Sequence, residues 1–201
     1  MNVLECARVH NVDKFVFSST SAVYGNRVFH PKYETNQVQC LNTYSISKYS
    51  GEQLCEMYYH LYGLQTVMFR YFNVYGEGCH KTGQYAPVMS IFKRQKDSKE
   101  PLTVVEPGYQ TRDFVHVSDV VYANILATQR DLKEYGQVFN IGTGEGTEIQ
   151  TIADLISDYQ ITIPQRSGEV MHSTANIDKV KEILGWKWSV KVIEWVKKNL
   201  K

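Results

Sequence analysis

Two stretches of this sequence combine residue types that can move a proton. Residues 15–25, FVFSSTSAVYG, take an apolar run into four consecutive hydroxyls, Ser18, Ser19, Thr20 and Ser21, and residues 44–48, YSISK, set a phenol and an ammonium one helical turn apart. A free tyrosine, with a pKa of about 10, is too weakly acidic to act as a base at neutral pH. A lysine at i+4 lies on the same helix face and supplies the positive charge that favours a phenolate. Tyr44 and Lys48 together with the end of the 15–20 stretch therefore read as one site.

The elements that must position these groups follow from periodicity. Residues 2–10 carry apolar positions at helical spacing with Asn11 as a stop, and lead into an apolar strand at 15–19. After a polar loop over 26–42 that contains Pro31, residues 44–62 place Ile46, Ser50, Leu54, Met57 or Tyr58, and Leu61 on one face, and Gly63 ends the helix. Residues 66–72 are a second apolar strand running out into polar residues. Strand, helix, strand in that order predicts a parallel sheet with right-handed crossovers. Further on, the pattern predicts a helix near 85–96, strands at 102–105 and 112–117, a helix from a Ser118 cap to about 130, and a buried strand at 138–141. Thr147 and Gln150 read as a capping box for a helix carrying Ile149, Ile152, Ala153 and Ile156, and Asn176 and Ser189 as caps of two short final helices.

Composition narrows the field. Lys and Arg total 22 against 21 Asp and Glu, a net charge of +1, so no broad field gathers nucleic acid or an anionic membrane, and a small anion has to be held by local residues. The four cysteines, Cys6, Cys40, Cys55 and Cys79, have neither CxxC spacing nor a histidine at zinc-finger distance, which points to reduced thiols without a metal. No apolar run approaches the ~20 residues that cross a bilayer, and the first residues do not resemble a signal peptide. The expected location is the cytoplasm.

An ordered series of motifs carries more weight than any one of them: NVLECAR (2–8), FVFSSTSAVYG (15–25), YSISK (44–48), RYFNVYG (70–76), QTRDFVHVSDVV (110–121), VFNIGTGEGT (138–147) and RSGE (166–169). In this series the chain resembles the NAD-dependent nucleotide-sugar epimerase/dehydratase family of extended short-chain dehydrogenases/reductases, typified by UDP-glucose 4-epimerase. The resemblance implies an α/β fold: the C-terminal part of a Rossmann-like doubly wound parallel sheet, about 1–72 and 118–144, plus a smaller α/β substrate-binding part, about 73–117 and 145–201. It also implies that 1–201 is one incomplete domain, because family members open with a strand and a glycine-rich turn that holds the cofactor pyrophosphate, and that unit is missing here. Gly142-x-Gly144 follows a strand, but the spacing to Gly146 differs from a dinucleotide fingerprint, and the family uses this turn to leave the last central strand.

The activity implied is epimerisation at C4 of a UDP-sugar through a 4-keto intermediate, with NAD as cofactor and a homodimer as the assembly. The rival is a truncated or split chain that binds sugar nucleotide, or a partner chain, without turnover. By resemblance Tyr44 is the base, Lys48 also holds the nicotinamide ribose, Thr20 completes the proton path, and Tyr71 and Phe72 lie beside the nicotinamide. Asn73 would bond the sugar diphosphate, Gln84 and Tyr85 the nucleotide, Thr103 to Val105 the uracil, Arg112 and Arg166 the pyrophosphate, and Glu169 a ribose hydroxyl. His116 and Asp119 are expected to be structural. Ser21 and Ala22 stand where related dehydratases carry an acidic pair, which favours epimerisation. Ser173 stands where a bulky tyrosine is associated with plain hexoses, so an N-acetyl group would have room.

Overall fold

The computed structural model describes residues 1–28, 30–79, 87–165 and 170–200. In chain order it contains helix α1 (Asn2–Val9), strand β1 (Lys14–Thr20), a 3-10 turn over Ser21–Tyr24, helix α2 (Thr43–Tyr62), β2 (Gln65–Tyr71) and β3 (Asn73–Tyr75). Next come α3 (Val88–Asp97), β4 (Leu102–Val105), β5 (Thr111–His116), α4 (Val117–Gln129) and β6 (Gln137–Ile141). The last part holds β7 (Gly146–Glu148), α5 (Ile149–Ile156), β8 (Gln160–Ile163), β9 (His172–Ser173), α6 (Asp178–Leu184) and α7 (Val192–Asn199).

β1, β2 and β6 form a parallel sheet in the order β1-β2-β6, with Thr20 beside Tyr71 and Tyr71 beside Ile141. The middle strand is buried without a break from Thr66 to Arg70, as a parallel strand covered on both faces requires. Phe15, Phe17 and Met68 pack with Leu4 and Ala7 of α1 and Cys55 and Tyr58 of α2. Val67, Phe69 and Phe139 pack on the other side with Val120, Ala123 and Leu126 of α4 and Val180 and Leu184 of α6.

At Phe72 the chain changes sheets. Its amide still donates to the Ile141 carbonyl at 3.0 Å, but Asn73 to Tyr75 pair in parallel with β5. β5 also takes β7 antiparallel and β9 in parallel, which sets Thr147 and Ser173 beside Arg112. β4 and β8 make a separate parallel pair, and Leu102 and Val104 enter a core with Phe92 of α3, Ile152 of α5 and Val196 of α7. The carboxyl ends of β1 and β2, the crossover at 72–73 and the start of β5 thus converge.

Several expected end signals are taken by tertiary partners instead. Gly63 does end α2, at φ 72°, and Asn42 with Ser45 forms a capping box at its start. Ser118, however, does not cap α4: His116 is the cap residue, and its Nδ1 accepts the Ser118 amide at 3.2 Å. Thr147 lies in β7, and Gln150 bonds Asp154 and Gln160 at 2.7 and 2.8 Å, so α5 starts without a side-chain cap. Ser189 is drawn to Asp119, whose Oδ1 accepts its Oγ at 2.8 Å and its amide at 3.1 Å, and α7 begins only after Lys191. Asn176 does accept the first amide of α6, that of Asp178, at 3.1 Å. The helix expected from about residue 85 is described from Val88 onward.

Candidate active site

Thr20 ends β1, and its Oγ1 accepts the Ala22 amide at 3.2 Å, which starts the 3-10 turn and directs the chain away from the sheet. Across from it, the Asn42–Ser45 capping box fixes the first turn of α2 and so the place of Tyr44. One turn later the Lys48 ammonium donates to the Ser18 carbonyl at 2.8 Å, 5.9 Å from the centre of the Tyr44 ring and 5.4 Å from that of Phe17. One turn beyond that, Glu52 is reached by the Ser19 hydroxyl and held by Arg70, whose Nε and Nη2 donate at 2.9 and 2.6 Å. Three consecutive turns of α2 therefore face the last three residues of β1.

The Glu52–Arg70 pair is buried, at 1% and 4% exposure. Burial works against the Arg70 charge, but the bonds to Glu52 outweigh it and hold the guanidinium protonated beyond its ordinary range. Arg70 also lies over the Tyr24 ring, 4.8 Å from its centre. The two tyrosines near Thr20 are thereby set apart. Tyr24 is buried, its phenol is pushed up to about 12 by desolvation, and it donates to Asn140 Oδ1 at 2.6 Å. Tyr44 is 37% exposed and lines a cavity.

That cavity, of about 480 Å³, runs from Ser19, Thr20 and Tyr44 past Tyr71, Phe72, Asn73 and Arg112 to Thr103, Val105, Gln110 and Ile149. A second cavity of about 680 Å³ opens on the other side of Thr20, Phe72, Asn73 and Arg112 and is lined by Ser21, Ala22, Asn26, Lys32 and Ser173. The first thus gathers Thr20, Tyr44, Tyr71, Phe72, Asn73, Thr103, Val105 and Arg112, and Ser173 belongs to the second. Lys48 lines neither and lies behind Tyr44, its ammonium 5.9 Å from the ring centre. Gln84, Tyr85, Arg166 and Glu169 lie outside the described residues.

Tyr71 is oriented by Asn124, whose Nδ2 donates to the phenol oxygen at 2.9 Å. Arg112 Nη1 donates to the Thr111 carbonyl at 2.9 Å. Next to it, buried Asp113 accepts the amides of Thr143, Gly144 and Ala175 at 2.6, 2.9 and 3.0 Å and the Thr143 hydroxyl at 2.8 Å. A Cβ at Gly142 would stand 2.6 Å from Asp113 Oδ2, so the glycine there answers a close approach. The amides of this turn that would attract a phosphate are occupied by a side chain. Sequence reasoning passed over Asp113, Glu52 and Lys32. Glu52 had a signal, since Tyr44, Lys48 and Glu52 are spaced i, i+4, i+8 and Arg70 interrupts an apolar strand.

Comparison with known proteins identifies the family and the fold. The model of the NAD dependent epimerase/dehydratase family matches residues 1–142. A Methanocaldococcus jannaschii protein named provisionally as a UDP-glucose 4-epimerase is 36% identical over 213 residues, covering 99% of this chain and 68% of its own. The structure of UDP-glucose 4-epimerase from Thermotoga maritima with UDP-glucose superposes with a TM-score of 0.90 at 37% identity, covering 98% of this chain and 65% of that one. UDP-N-acetylglucosamine 4-epimerase from Methanobrevibacter ruminantium, in complex with UDP-N-acetylmuramic acid, gives a TM-score of 0.90 at 29% identity, with 99% and 65% covered. The chain thus spans 65% of the length of either solved structure.

Proposed function

Because the chain belongs to the NAD-dependent epimerase/dehydratase family, we propose that it acts on a UDP-sugar at C4, with the sugar at the Tyr44 end of the first cavity and the nucleotide toward Thr103 and Val105. The single observation that carries this reading is that one cavity joins a phenol and a hydroxyl at one end to Asn73 and Arg112 in the middle. A guanidinium suits a diphosphate because it is planar and a bidentate donor.

The residues fit the nicotinamide end of NAD. An ammonium has three donors; Lys48 spends one on the Ser18 carbonyl and has others for ribose hydroxyls, and Tyr71 and Phe72 flank the same strand ends. Among the described residues none is assigned to the pyrophosphate of NAD, since the 142–146 turn is closed by Asp113. Bound there, NAD would supply the hydride acceptor and donor for C4. Tyr44 takes the proton of the 4-hydroxyl, with the Lys48 charge behind it favouring the phenolate, and gives it back when the ketone is reduced. Thr20 holds the same oxygen. Ser21 and Ala22, on the wall of the second cavity, bring no carboxylic acid that elimination would need. The residues fall into a sheet part, about 1–72 and 118–144, and a substrate part, about 73–117 and 145–201, and the working form is a cytoplasmic homodimer.

The test is to incubate the chain with NAD and UDP-glucose, follow UDP-galactose by NMR, and measure NAD retained after gel filtration. Formation of UDP-galactose supports the proposal. Binding of UDP-glucose without product supports the second reading, a chain that binds sugar nucleotide only. Ser173, beside Arg112 on the second cavity, leaves room for an N-acetyl group. A Ser173→Tyr change is expected to lower turnover of UDP-N-acetylglucosamine about tenfold, one bulky side chain in a fitted pocket, and to spare UDP-glucose.

A further inference from the structure

One row of the central sheet is polar where the row beneath it is apolar. On the side covered by α2, Phe17, Met68 and Val138 stand next to one another across β1, β2 and β6. Two residues further along, the same strands set Ser19, Arg70 and Asn140 next to one another, all buried. The residues that follow on β1 and β2, Thr20 and Tyr71, line both cavities, while Arg70 lines neither.

The two ends of this row reach two walls of the site. At the β1 end, the Ser19 hydroxyl and Arg70 Nε and Nη2 donate to Glu52 of α2, the helix that carries Tyr44. At the β6 end, Arg70 Nη1 donates to the Glu34 carbonyl at 3.3 Å, and the Glu34 carboxylate accepts the Asn140 amide at 2.8 Å. Asn140 Nδ2 donates to the Lys32 carbonyl at 2.9 Å, and its Oδ1 accepts the Tyr24 phenol. Lys32 and Glu34 belong to the loop that brings Asn26 and Lys32 to the second cavity. One planar guanidinium is therefore bonded to a helix on one side and to a loop on the other.

Stability alone does not account for this arrangement. A buried ion pair loses to desolvation much of what its attraction gains, and apolar residues of similar volume often hold a core as well or better. Phe17 and Met68, one row below, pack against Cys55 and Tyr58 of α2 without any polar bond. Apolar contact is non-directional, whereas the fork of Arg70 fixes where helix and loop stand relative to the strand ends. We propose that Arg70 is a positioning residue for the sugar: through Glu52 and the Glu34 carbonyl it sets the spacing between the Tyr44 wall and the Asn26 wall on either side of Thr20. This rests on the nucleotide-sugar reading of the first cavity and adds that the sugar, rather than the nucleotide, depends on Arg70.

Calorimetry with UDP and UDP-glucose tests this on the wild type, on Arg70→Lys and on a Glu52→Gln, Arg70→Met double variant, which leaves neither member of the pair charged. In both variants UDP is expected to bind within about twofold of wild type. The affinity of UDP-glucose relative to UDP should fall about tenfold, the scale of one hydrogen bond lost from the sugar. Arg70→Lys keeps the charge and loses the fork, so an unchanged ratio in that variant overturns the proposal, as does a loss that falls equally on UDP. A measurement on the wild type decides the matter if a variant is unfolded. Because coupling between sites is reciprocal, saturating UDP-glucose should slow hydrogen exchange at the Asn140 amide about tenfold more than at the β2 amides, and saturating UDP should slow both alike. The same response to both ligands overturns the proposal and leaves the nucleotide-sugar reading standing. Failure of the wild type to bind either ligand overturns that reading and this one with it.

Discussion

Two buried acids flank the candidate site and are satisfied in opposite ways. Glu52 on α2 is answered by a cation, Arg70, and the Ser19 hydroxyl. Asp113 on β5 is answered by three amides and a hydroxyl and by no cation that donates to it among the described residues. The first pins the helix of Tyr44 and Lys48 to the strand end of Thr20. The second closes a glycine turn that would otherwise present its amides to an anion, and stands next to Arg112, which lines the cavity. One side of the cleft is braced by a buried ion pair and the other by a carboxylate closed in by backbone amides.

The largest expected effect separates reaction from binding. Tyr44→Phe removes the proton acceptor and should lower conversion of UDP-glucose, assayed with saturating NAD, by about 10²- to 10⁴-fold, while calorimetry gives UDP-glucose affinity unchanged within about twofold. Next in size is Glu52→Gln, which leaves Arg70 buried without its carboxylate. Urea unfolding should show a loss of about 3–5 kcal/mol, partly recovered in a Glu52→Gln, Arg70→Met double variant. Full stability in the single variant would mean that the brace on the α2 side is dispensable.

Asp113→Asn is expected to cost less, about 1–3 kcal/mol, because it turns one acceptor into a donor facing the Gly144 and Ala175 amides but strands no cation. A loss larger than that of Glu52→Gln would reverse the comparison. The smallest effect belongs to Lys32. Its folded-state pKa is lowered by burial, so in the window between that value and about 10.4 the unfolded chain binds more protons and stability rises with pH. Urea midpoints followed up to about pH 10 should therefore rise with pH more in the wild type than in Lys32→Met.

Much of the placement of Thr20, Tyr44 and Lys48 was legible in the sequence because it is local: Tyr44 and Lys48 share one helix face, and Thr20 ends a strand whose apolar run is unmistakable. The sheet that joins them followed from the strand, helix, strand alternation. What was hidden depends on partners distant in the chain. Glu52 reads as a surface residue of an amphipathic helix until Arg70 is brought beneath it by the β1–β2 pairing. Lys32 reads as a loop lysine until its bridge to Ala175 draws it inside. Ser189 and Thr147 have cap chemistry, but Asp119 and the backbone of Arg112 compete for them, and β7 and β9 are too short to show a period.

The central claim is that the sugar of a nucleotide sugar lies at the Tyr44 end of the first cavity, and a crystal structure of the chain with UDP-glucose tests it most directly. The account predicts the 4-hydroxyl oxygen within about 2.6–3.2 Å of both the Tyr44 phenol and the Thr20 hydroxyl, the diphosphate against Asn73 and Arg112, and the uracil by Thr103 and Val105. A nucleotide bound in the reverse direction, or one that leaves Tyr44 and Thr20 untouched, would contradict it.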